Sequence, residues 1–427
     1  MSEYKHSVSL DLEKCKGCTH CLRRCPTEAI RIRDGHAVID PARCIDCGEC
    51  IRLCPHKAKK AIYDKFSSLP KDKYLIALPA PTFYGQFENL DDIDYLLQGL
   101  LDLGFDDVFE VACAAELVTD YTRKFLHSGK AVYPVISSAC PVVVRLVTLR
   151  FPTLVPHLLP IQPPVELAGR LARQKAKAKN PSLKDEDIVT VFISPCPAKV
   201  SYVKNSTDGG KSSIDYVVSI SDMYFELLNV MKNKVTPVPY SKTGMVGIGW
   251  AISGGESSSL MNDHYLAADG IENVIKVLED IDTEQHPNLD FVELNACSGG
   301  CVGGVLTMEN PYICRVRLRN IRRYLPVSQN HASEGDDLPD SVRLDFDSEY
   351  EAVSKLGTSR RHAIKLMADI QNVFSTLPEL DCGSCGSPTC RAFAEDVVKG
   401  KADYGECIAV MREKLRGKTN GENNDGK

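Results

Sequence analysis

The spacing of the cysteines constrains this chain more than any other feature of its sequence. Eighteen of the 427 residues are cysteines, and the motif CxxCxxCxxxCP occurs twice, over residues 15–26 and 44–55. Gaps of two residues allow one loop to place three thiolates at three corners of an iron–sulfur cube. A structural zinc site would instead favour two CxxC pairs. The repeat therefore predicts a small module that holds two 4Fe–4S clusters.

The repeat also predicts which cysteines share a cluster. In two-cluster ferredoxins, the fourth cysteine of each run binds the other cluster. We therefore expect the first cluster to be held by Cys15, Cys18, Cys21 and Cys54. We expect the second cluster to be held by Cys44, Cys47, Cys50 and Cys25.

A third array lies near the end of the chain, with the spacing Cys382-x2-Cys385-x4-Cys390-x16-Cys407. This spacing favours a third 4Fe–4S cluster, and a zinc site is the alternative. The segment resembles the small C-terminal cluster modules of anaerobic electron-transfer and corrinoid proteins, which adds weight to the cluster.

Between these arrays, apolar runs alternate with amphipathic stretches, which is typical of an α/β fold. The runs that we expect to form strands are 74–78, 108–111, 132–137, 188–194, 216–220 and 290–295. Because helical stretches separate most of these runs, the sequence predicts an α/β domain of mostly parallel sheets with covering helices.

The composition shifts divide the chain into four expected regions. They are a two-cluster ferredoxin-like α+β module over 1–66, the α/β domain over 72–345, a helix with a small iron–sulfur module over 346–413, and a disordered tail over 414–427. Within the third region, residues 350–376 are expected to be helical.

The charge and the hydropathy exclude several classes of protein. A net charge of -6 and a pI of about 6.0 give no reason to expect nucleic acid or an acidic membrane surface as a partner. The sequence has neither a secretion signal nor an apolar run of roughly 18 residues, so we expect a cytoplasmic protein that does not enter a membrane. In that compartment, abundant cysteines indicate metal binding rather than disulfides.

Three dispersed cysteines each follow an apolar run that is predicted to be a strand. They are Cys140, Cys196 and Cys297, and Cys301 follows soon after the last of them. Ligands of open α/β sheets bind beyond the carboxyl ends of the strands, so the four side chains are candidates for one shared site. A lone cysteine is more often a small buried hydrophobic residue, and this pattern alone leaves both alternatives open.

The residues around these cysteines resemble the signatures of the FeFe-hydrogenase family. The chain has SSACP at 137–141 where the family has TSCCP, and SPCPAK at 194–199 where the family has MPCxxK. It has ELNACSGGCVGG at 293–304 where the family has ExMxCxxGCxxGG. With the ferredoxin-like module, the resemblance covers nearly the whole chain. It implies an H-cluster whose 4Fe–4S part is held by Cys140, Cys196, Cys297 and Cys301.

The same resemblance implies individual roles in hydrogen chemistry. Cys301 would also bridge to a two-iron subsite that carries CO, cyanide and dithiolate ligands. Lys199 would hydrogen-bond one cyanide. The segment Ala80-Pro81-Thr82 matches an Ala-Pro-Ser segment of the family that meets the same ligand. We therefore expect Cys301, Lys199 and Thr82 to act in catalysis, and Ala80 and Pro81 to help bind the cofactor.

The departures from the family pattern concern proton transfer. Ala139 precedes Cys140 where turnover enzymes have a cysteine that relays protons, and the paired glutamates of that relay are absent from 115–122. Ser194 and Asn295 replace the methionines that flank the two-iron subsite. Loss of a relay group typically costs about 10²–10⁴-fold in rate, so we expect H2 to react slowly and reversibly.

These departures are similar to those of the sensory group of FeFe-hydrogenases, which shares the alanine and a C-terminal cluster module. Many of its members continue into a PAS domain, whereas this chain stops shortly after Cys407. We therefore expect an H2 or redox sensor that relays electrons through three accessory 4Fe–4S clusters to a separate redox or signalling partner of the PAS, kinase or phosphatase type.

Two other functions remain open at this stage. One is a catalytic hydrogenase subunit that exchanges electrons with ferredoxin or another redox subunit. The other is a non-catalytic, hydrogenase-like iron–sulfur protein. The remaining cysteines, Cys113 and Cys314, are expected to be buried and structural. Cys113 lies in the segment that aligns with the lost relay, so a substitute proton path through its thiol is the alternative.

Overall fold

The computed structural model describes residues 4–88, 90, 92–205, 212–231, 237–333, 338–346 and 359–422. Their strands form two parallel sheets and two short antiparallel pairs. The antiparallel pairs both belong to the N-terminal module. They are Val8–Leu10 with Lys59–Ala61, and Ile30–Arg33 with His36–Ile39.

Each half of the N-terminal module contains one cysteine repeat and one short helix. The helices are His20–Arg23 and Glu49–Arg52. Their N-caps, Thr19 at φ 65° and Gly48 at φ 78°, adopt the left-handed conformation that turns the loop into the helix. The module is therefore α+β, as the sequence predicts.

The larger parallel sheet confirms the α/β expectation for the central part of the chain. Its strands, in spatial order, are Asp107–Val108, Tyr74–Pro79, Ile188–Ser194 and Tyr216–Ser219. The strand expected at 108–111 is shorter and ends earlier, because the helix Val111–His127 begins there.

A second parallel sheet has the order Tyr265–Asp269, Phe291–Asn295, Val135–Ile136. The strand expected at 132–137 is reduced to Val135–Ile136. The strand Tyr265–Asp269 was not predicted, because it lies at the sheet edge and none of its residues is fully buried. Its sequence, YLAAD, therefore lacks the apolar run of a central strand.

Helices cover both sheets, which is what buried parallel strands require. The helices of the central region are Ile93–Asp102, Val111–His127, Pro141–Arg150, Pro164–Lys179, Pro197–Asn205, Ile220–Met231, Met245–Gly249, Gly255–Ser259, Ile271–Asp282 and Pro311–Arg322. Short 3-10 helices include Pro81–Gln86 and Cys301–Gly303.

Three apolar clusters hold these layers together. Leu96, Leu97 and Leu100 are fully buried where the helix Ile93–Asp102 packs on one face of the larger sheet. The helices Val111–His127 and Pro164–Lys179 contribute to the cluster on the other face. A third cluster surrounds the smaller sheet and receives Ile45 and Cys47 from the N-terminal module. The N-terminal module is thus joined to the central domain through a shared core.

The C-terminal module is built from the helices Arg360–Phe374, Cys390–Val398 and Ile408–Glu422. Of the helix expected over 350–376, residues 350–358 lie outside the described residues. The prediction of a disordered tail from residue 414 is wrong in part. The last helix packs on the core of the module through Val410 and continues to Glu422. Residues 423–427 lie outside the described part of the chain.

The C-terminal module packs on the N-terminal module through charged groups. The carboxylate of Asp396 accepts hydrogen bonds from Arg31 Nε at 2.6 Å and Arg33 Nη2 at 2.8 Å. The backbone N–H of Ile32 donates to the Gly386 carbonyl at 2.8 Å. The two modules that are richest in cysteine therefore touch directly. Among the described residues, no helix is both long enough and apolar enough to span a membrane.

Candidate metal centre

The structure brings the four dispersed cysteines to the carboxyl ends of parallel strands. Cys140 follows the strand Val135–Ile136 and caps the helix Pro141–Arg150. Cys196 follows Ile188–Ser194. Two cysteines follow the strand Phe291–Asn295, and these are Cys297 and Cys301. The two sheets therefore contribute to one site, at the position where ligands bind in open α/β folds.

A single buried lysine, Lys199, lies within electrostatic range of all four thiols. Burial lowers the pKa of Lys199, but the negative charges available on Cys301, Cys196, Cys140 and Cys297 outweigh it and raise that pKa above its ordinary value. The Lys199 ammonium donates to Cys301 Sγ at 3.9 Å. Burial raises the pKa of the Cys297 thiol, and the neighbouring thiols add to that increase. Bound iron would stabilise the thiolate form of these cysteines, which is the form that ligates an iron–sulfur cluster.

Close backbone approach shapes the loop that holds Cys297 and Cys301. Gly300 has φ 96°, and a Cβ at this position would lie 2.5 Å from the backbone nitrogen of Ser253. A Cβ at Gly304 would lie 2.2 Å from the Pro195 carbonyl oxygen. Glycine is therefore required for this loop to pack against the loop that carries Cys196.

Thr82 supplies an unpaired polar atom near the end of the adjacent strand. The segment Ala80-Pro81-Thr82 follows Tyr74–Pro79, which pairs with Ile188–Ser194. Thr82 is fully buried, and its Oγ1 has no hydrogen-bond partner among the described residues. A buried hydroxyl without a partner is costly. It fits a bound group with an acceptor atom, which is the role expected for Thr82.

The residues that replace the flanking methionines bind protein groups. Ser194 Oγ donates to the Cys196 carbonyl at 3.0 Å and accepts from the Cys196 backbone N–H at 3.3 Å. Asn295 Nδ2 donates to Glu293 Oε1 at 2.8 Å. Ser194 therefore shapes the Cys196 loop, and Asn295 links the site to a buried carboxylate.

Two buried carboxylates lie beside the site, and sequence reasoning did not single them out. Glu293 accepts from Gly254 N, Ser257 N, Ser257 Oγ and Asn295 Nδ2 at 2.8–3.0 Å. Glu256 accepts from Ser137 Oγ at 2.7 Å. Burial raises the pKa of both carboxyl groups. Glu293 stands inside the third cysteine signature, so its position was a usable signal. Glu256 stands in the polar run ESSS, which gives no such sequence signal.

The N-terminal module encloses two separate sets of four cysteines. One cavity is lined by Cys15, Cys18, Cys21 and Cys54. The other is lined by Cys25, Cys44, Cys47 and Cys50. The fourth cysteine of each repeat thus faces the cavity of the other repeat. Backbone N–H groups of Ala29 and Ala58 donate to Cys25 Sγ and Cys54 Sγ, each at 3.2 Å.

A buried lysine lies between these two sets. Lys59 is 3% exposed, and its Nζ has no hydrogen-bond partner within the described ranges. Burial raises the pKa of Cys50 to about 12, although the Lys59 charge acts in the opposite direction. Lys59 has the same lowering effect on Cys21 of the other set. An unpaired buried ammonium between two thiol sets fits two anionic clusters.

The C-terminal module gathers its cysteines around an apolar core. Cys385, Cys390 and Cys407 share this core with Phe393. Cys382 is exposed, and hydrogen bonds from Ser384 lower the pKa of its thiol. Three of the thiols are therefore sheltered, and the fourth is at the surface.

Hydrogen bonds join the regions that carry the four cysteine sets. Arg52 Nη2 donates to the Gly303 carbonyl at 3.0 Å, which joins the second set of the N-terminal module to the Cys297–Cys301 loop. Arg23 Nη2 donates to the Cys382 carbonyl at 2.6 Å, two residues from Cys21 of the first set. The N-terminal module therefore contacts both the C-terminal module and the site at the sheet ends.

Comparison with known protein families identifies the family of this chain. A model of the iron-only hydrogenase large subunit, C-terminal domain, matches residues 73–259 and 256–305. This chain belongs to the iron-only hydrogenase family. A 4Fe–4S dicluster domain matches residues 7–55, and a putative Fe–S cluster family matches residues 377–409.

Individual hydrogenases are distant relatives of this chain. The periplasmic [Fe] hydrogenase large subunit of Nitratidesulfovibrio vulgaris is 30% identical over 213 residues, which is 45% of this chain and 50% of that protein. Iron hydrogenase 1 of Clostridium pasteurianum is 22% identical over 351 residues, which is 69% of this chain and 60% of that protein. The chain thus spans about half, or slightly more, of the curated hydrogenases that it matches.

A solved structure of [FeFe]-hydrogenase HydA1 from Chlamydomonas reinhardtii superposes with a TM-score of 0.48 at 17% identity. The match covers 62% of this chain and 88% of that one.

The family's cofactors are 4Fe–4S clusters and the H-cluster, and the thiol sets described above fit both. The position before Cys140, where the family pattern has a second cysteine, has a definite environment in this chain. The Ala139 backbone N–H donates to Ser137 Oγ at 3.2 Å. Cys113 Sγ instead lies 3.7 Å from Glu110 Oε2. Cys314 Sγ accepts from Gln86 Nε2 at 3.3 Å. Both remaining cysteines are buried.

Proposed function

We propose that this hydrogenase reacts slowly and reversibly with H2 at an H-cluster and reports H2 or redox state to a partner protein. The ligands of the 4Fe–4S part would be Cys140, Cys196, Cys297 and Cys301. The observation that carries the proposal is the convergence of these thiols on Lys199, next to an alanine where a relay thiol would stand. The H-cluster, when bound, supplies the cleavage and formation of H2.

The protein's own residues bind and orient this group. Lys199 places a positive charge against Cys301 and can donate to an anionic ligand beyond it. Thr82 offers its unpaired hydroxyl to the same group. Ser194 and Asn295 hold the loop and the neighbouring carboxylate in position. These contacts support binding, while Ala139 offers no exchangeable side-chain proton.

Electrons would leave through three accessory 4Fe–4S clusters, and the N-terminal module would connect the H-cluster site with the C-terminal module. The second cluster of the N-terminal module, held by Cys44, Cys47, Cys50 and Cys25, would be nearest the H-cluster. The first cluster, held by Cys15, Cys18, Cys21 and Cys54, would follow. The last cluster would be held by Cys382, Cys385, Cys390 and Cys407. The exposure of Cys382 supports electron exchange with a partner at this end.

The partner would be a one-electron acceptor of redox or signalling type, and the protein would act in the cytoplasm. The test loads the protein with the complete H-cluster and measures two quantities. We expect slow H2 oxidation and H2 evolution, with a reduced fraction of the accessory clusters that follows the H2 pressure. Rates equal to those of a standard hydrogenase would favour a catalytic subunit that exchanges electrons with ferredoxin or another redox subunit.

A further inference from the structure

The two halves of the N-terminal module differ at one buried position. In each half, the residue five positions after the fourth cysteine of the repeat begins a strand. This residue is Ile30 in the first half and Lys59 in the second half. Ile30 is 2% exposed and Lys59 is 3% exposed. The second half therefore buries a lysine where the first half buries an apolar core residue.

Lys59 and Ile30 line the cavities of different thiol sets. The first set is Cys15, Cys18, Cys21 and Cys54, and the second set is Cys25, Cys44, Cys47 and Cys50. Lys59 lines the cavity of the first set, and Ile30 lines that of the second. Within the described ranges, Lys59 Nζ has no hydrogen-bond partner. Because burying an unpaired ammonium is costly, this position requires negative charge beside it.

The charge of Lys59 acts on thiols of both sets. Burial raises the pKa of Cys21 in the first set, and the Lys59 charge opposes this increase. For Cys54, burial is outweighed by backbone hydrogen bonds and by the Lys59 charge, which lower the pKa of its thiol. In the second set, the same charge opposes the effect of burial on Cys50. Lys59 therefore favours negative charge in the module, and it lines the cavity of the first set.

A buried carboxylate lies beside the second set instead. Asp46 is 1% exposed, and its Oδ1 lies 3.6 Å from Cys44 Sγ. Burial raises the pKa of Cys44, and the negative charge of Asp46 adds to the increase. The Asp46 carboxylate accepts from the Ser7 backbone N–H at 2.8 Å, Ser201 Oγ at 2.7 Å and Tyr4 OH at 3.1 Å. The second set thus has a negative neighbour that the first set lacks in its cavity lining.

We propose that Lys59 gives the first cluster of the N-terminal module a higher reduction potential than the second, so that the first cluster holds the electron. Each 4Fe–4S cluster gains one electron and one negative charge on reduction. A nearby positive charge favours that reduced form, and a nearby negative charge opposes it. The electrons come from H2, whose oxidation yields two electrons and two protons. The inference rests on the cluster ligands of the proposed function.

The variant Lys59→Met separates the charge of Lys59 from its packing. Methionine is unbranched and apolar, so it fills a buried site of similar length without an ammonium. Lys57 lies two residues earlier in the same repeat and is exposed. Lys57→Met therefore removes the same charge from the surface and is the matched control.

The test is a redox titration of the cluster-loaded protein followed by electron paramagnetic resonance. The signals of the other two clusters are identified by their loss in Cys297→Ser and Cys382→Ala. In the wild-type protein, we expect the two N-terminal clusters to differ at least tenfold in their ratio of reduced to oxidised form, or about 59 mV. Lys59→Met should lower the higher midpoint by about this amount or more, and the lower midpoint by less. Lys57→Met should leave both midpoints unchanged.

Three results would contradict the proposal. Equal midpoints for the two N-terminal clusters of the wild-type protein would overturn it, as would an unchanged higher midpoint in Lys59→Met. Lys59→Arg keeps the charge and should keep the wild-type order of the midpoints, so a reversed order in this variant would also overturn it. Fewer than two N-terminal cluster signals in the wild-type protein would instead overturn the proposed ligands, and the proposed function with them.

Discussion

The site at the sheet ends and the C-terminal module use the same ligand chemistry in opposite surroundings. At the sheet ends, four thiols face the Lys199 ammonium inside the protein. In the C-terminal module, Cys382 is exposed, and hydrogen bonds from Ser384 lower the pKa of its thiol. The enclosed site suits chemistry on a small molecule, because excluding water strengthens each polar contact. The exposed site suits electron exchange with another protein.

The largest expected effect comes from removing a ligand of the enclosed site. Cys297→Ser should abolish the CO and cyanide infrared bands and all reaction with H2, while the iron of the other clusters remains. The matched control is Cys113→Ala, a buried cysteine outside the thiol sets, which should keep both the bands and the rate. If Cys297→Ser kept the bands, the enclosed site would not need Cys297 to hold the H-cluster, and the proposed difference between the two regions would be wrong. A slower rate in Cys113→Ala would instead support a proton path through that thiol.

A ligand change at the exposed end should separate electron exchange from hydrogen chemistry. Cys382→Ala should remove the paramagnetic signal of one reduced cluster and leave the CO and cyanide bands intact. H2-driven reduction of a protein acceptor should lose most of its rate. Lys401→Ala, an exposed change in the same module that keeps all the thiols, is the control. If protein reduction proceeds at the wild-type rate without the Cys382 thiolate, electrons leave the molecule elsewhere.

One buried carboxylate contributes to the attachment of the C-terminal module. Asp396→Ala would leave Arg31 and Arg33 without their shared partner and Ser387 Oγ without its acceptor. We expect a loss of about 3 kcal/mol, seen as earlier thermal unfolding and faster proteolysis of the C-terminal module. Arg391→Ala, an exposed change on the same helix, should have little effect. Equal stability of the two variants would show that the modules are held together by other contacts.

The smallest effect is expected inside the enclosed site. Ala139→Cys restores the thiol of turnover enzymes, but the paired glutamates of their relay are still absent from 115–122. We expect H2 turnover to rise by less than about 10-fold, well below the 10²–10⁴-fold of a complete relay group. The measurement is H2 oxidation by the variant against the wild-type protein. Full enzyme-like activity from this one change would contradict the account of proton transfer.

The sequence predicted features that depend on local spacing. The cysteine repeats at 15–26 and 44–55 determine two loops, and the structure places the fourth cysteine of each at the other cavity. The strands Tyr74–Pro79 and Ile188–Ser194 were recognisable because both are apolar runs at the centre of a sheet. The edge strand Tyr265–Asp269 was not predicted, because its half-buried residues do not form an apolar run.

The convergence of the dispersed cysteines could not follow from spacing alone. Cys140 and Cys297 are far apart in the chain and meet only because their strands, Val135–Ile136 and Phe291–Asn295, pair in parallel. The family resemblance predicted that these cysteines share one site, and the pairing of their strands explains why they lie together. Glu256 was not found, because its significance depends on Ser137 and Glu293, which lie on other elements.

The infrared spectrum of the protein after loading with the complete H-cluster tests the central claim most directly. CO and cyanide stretching bands should appear in the wild-type protein and should change reversibly when H2 is admitted and withdrawn. Bands that never appear, in protein whose accessory clusters are intact, would show that Cys140, Cys196, Cys297 and Cys301 do not hold an H-cluster. The chain would then be a non-catalytic iron–sulfur protein with a hydrogenase fold.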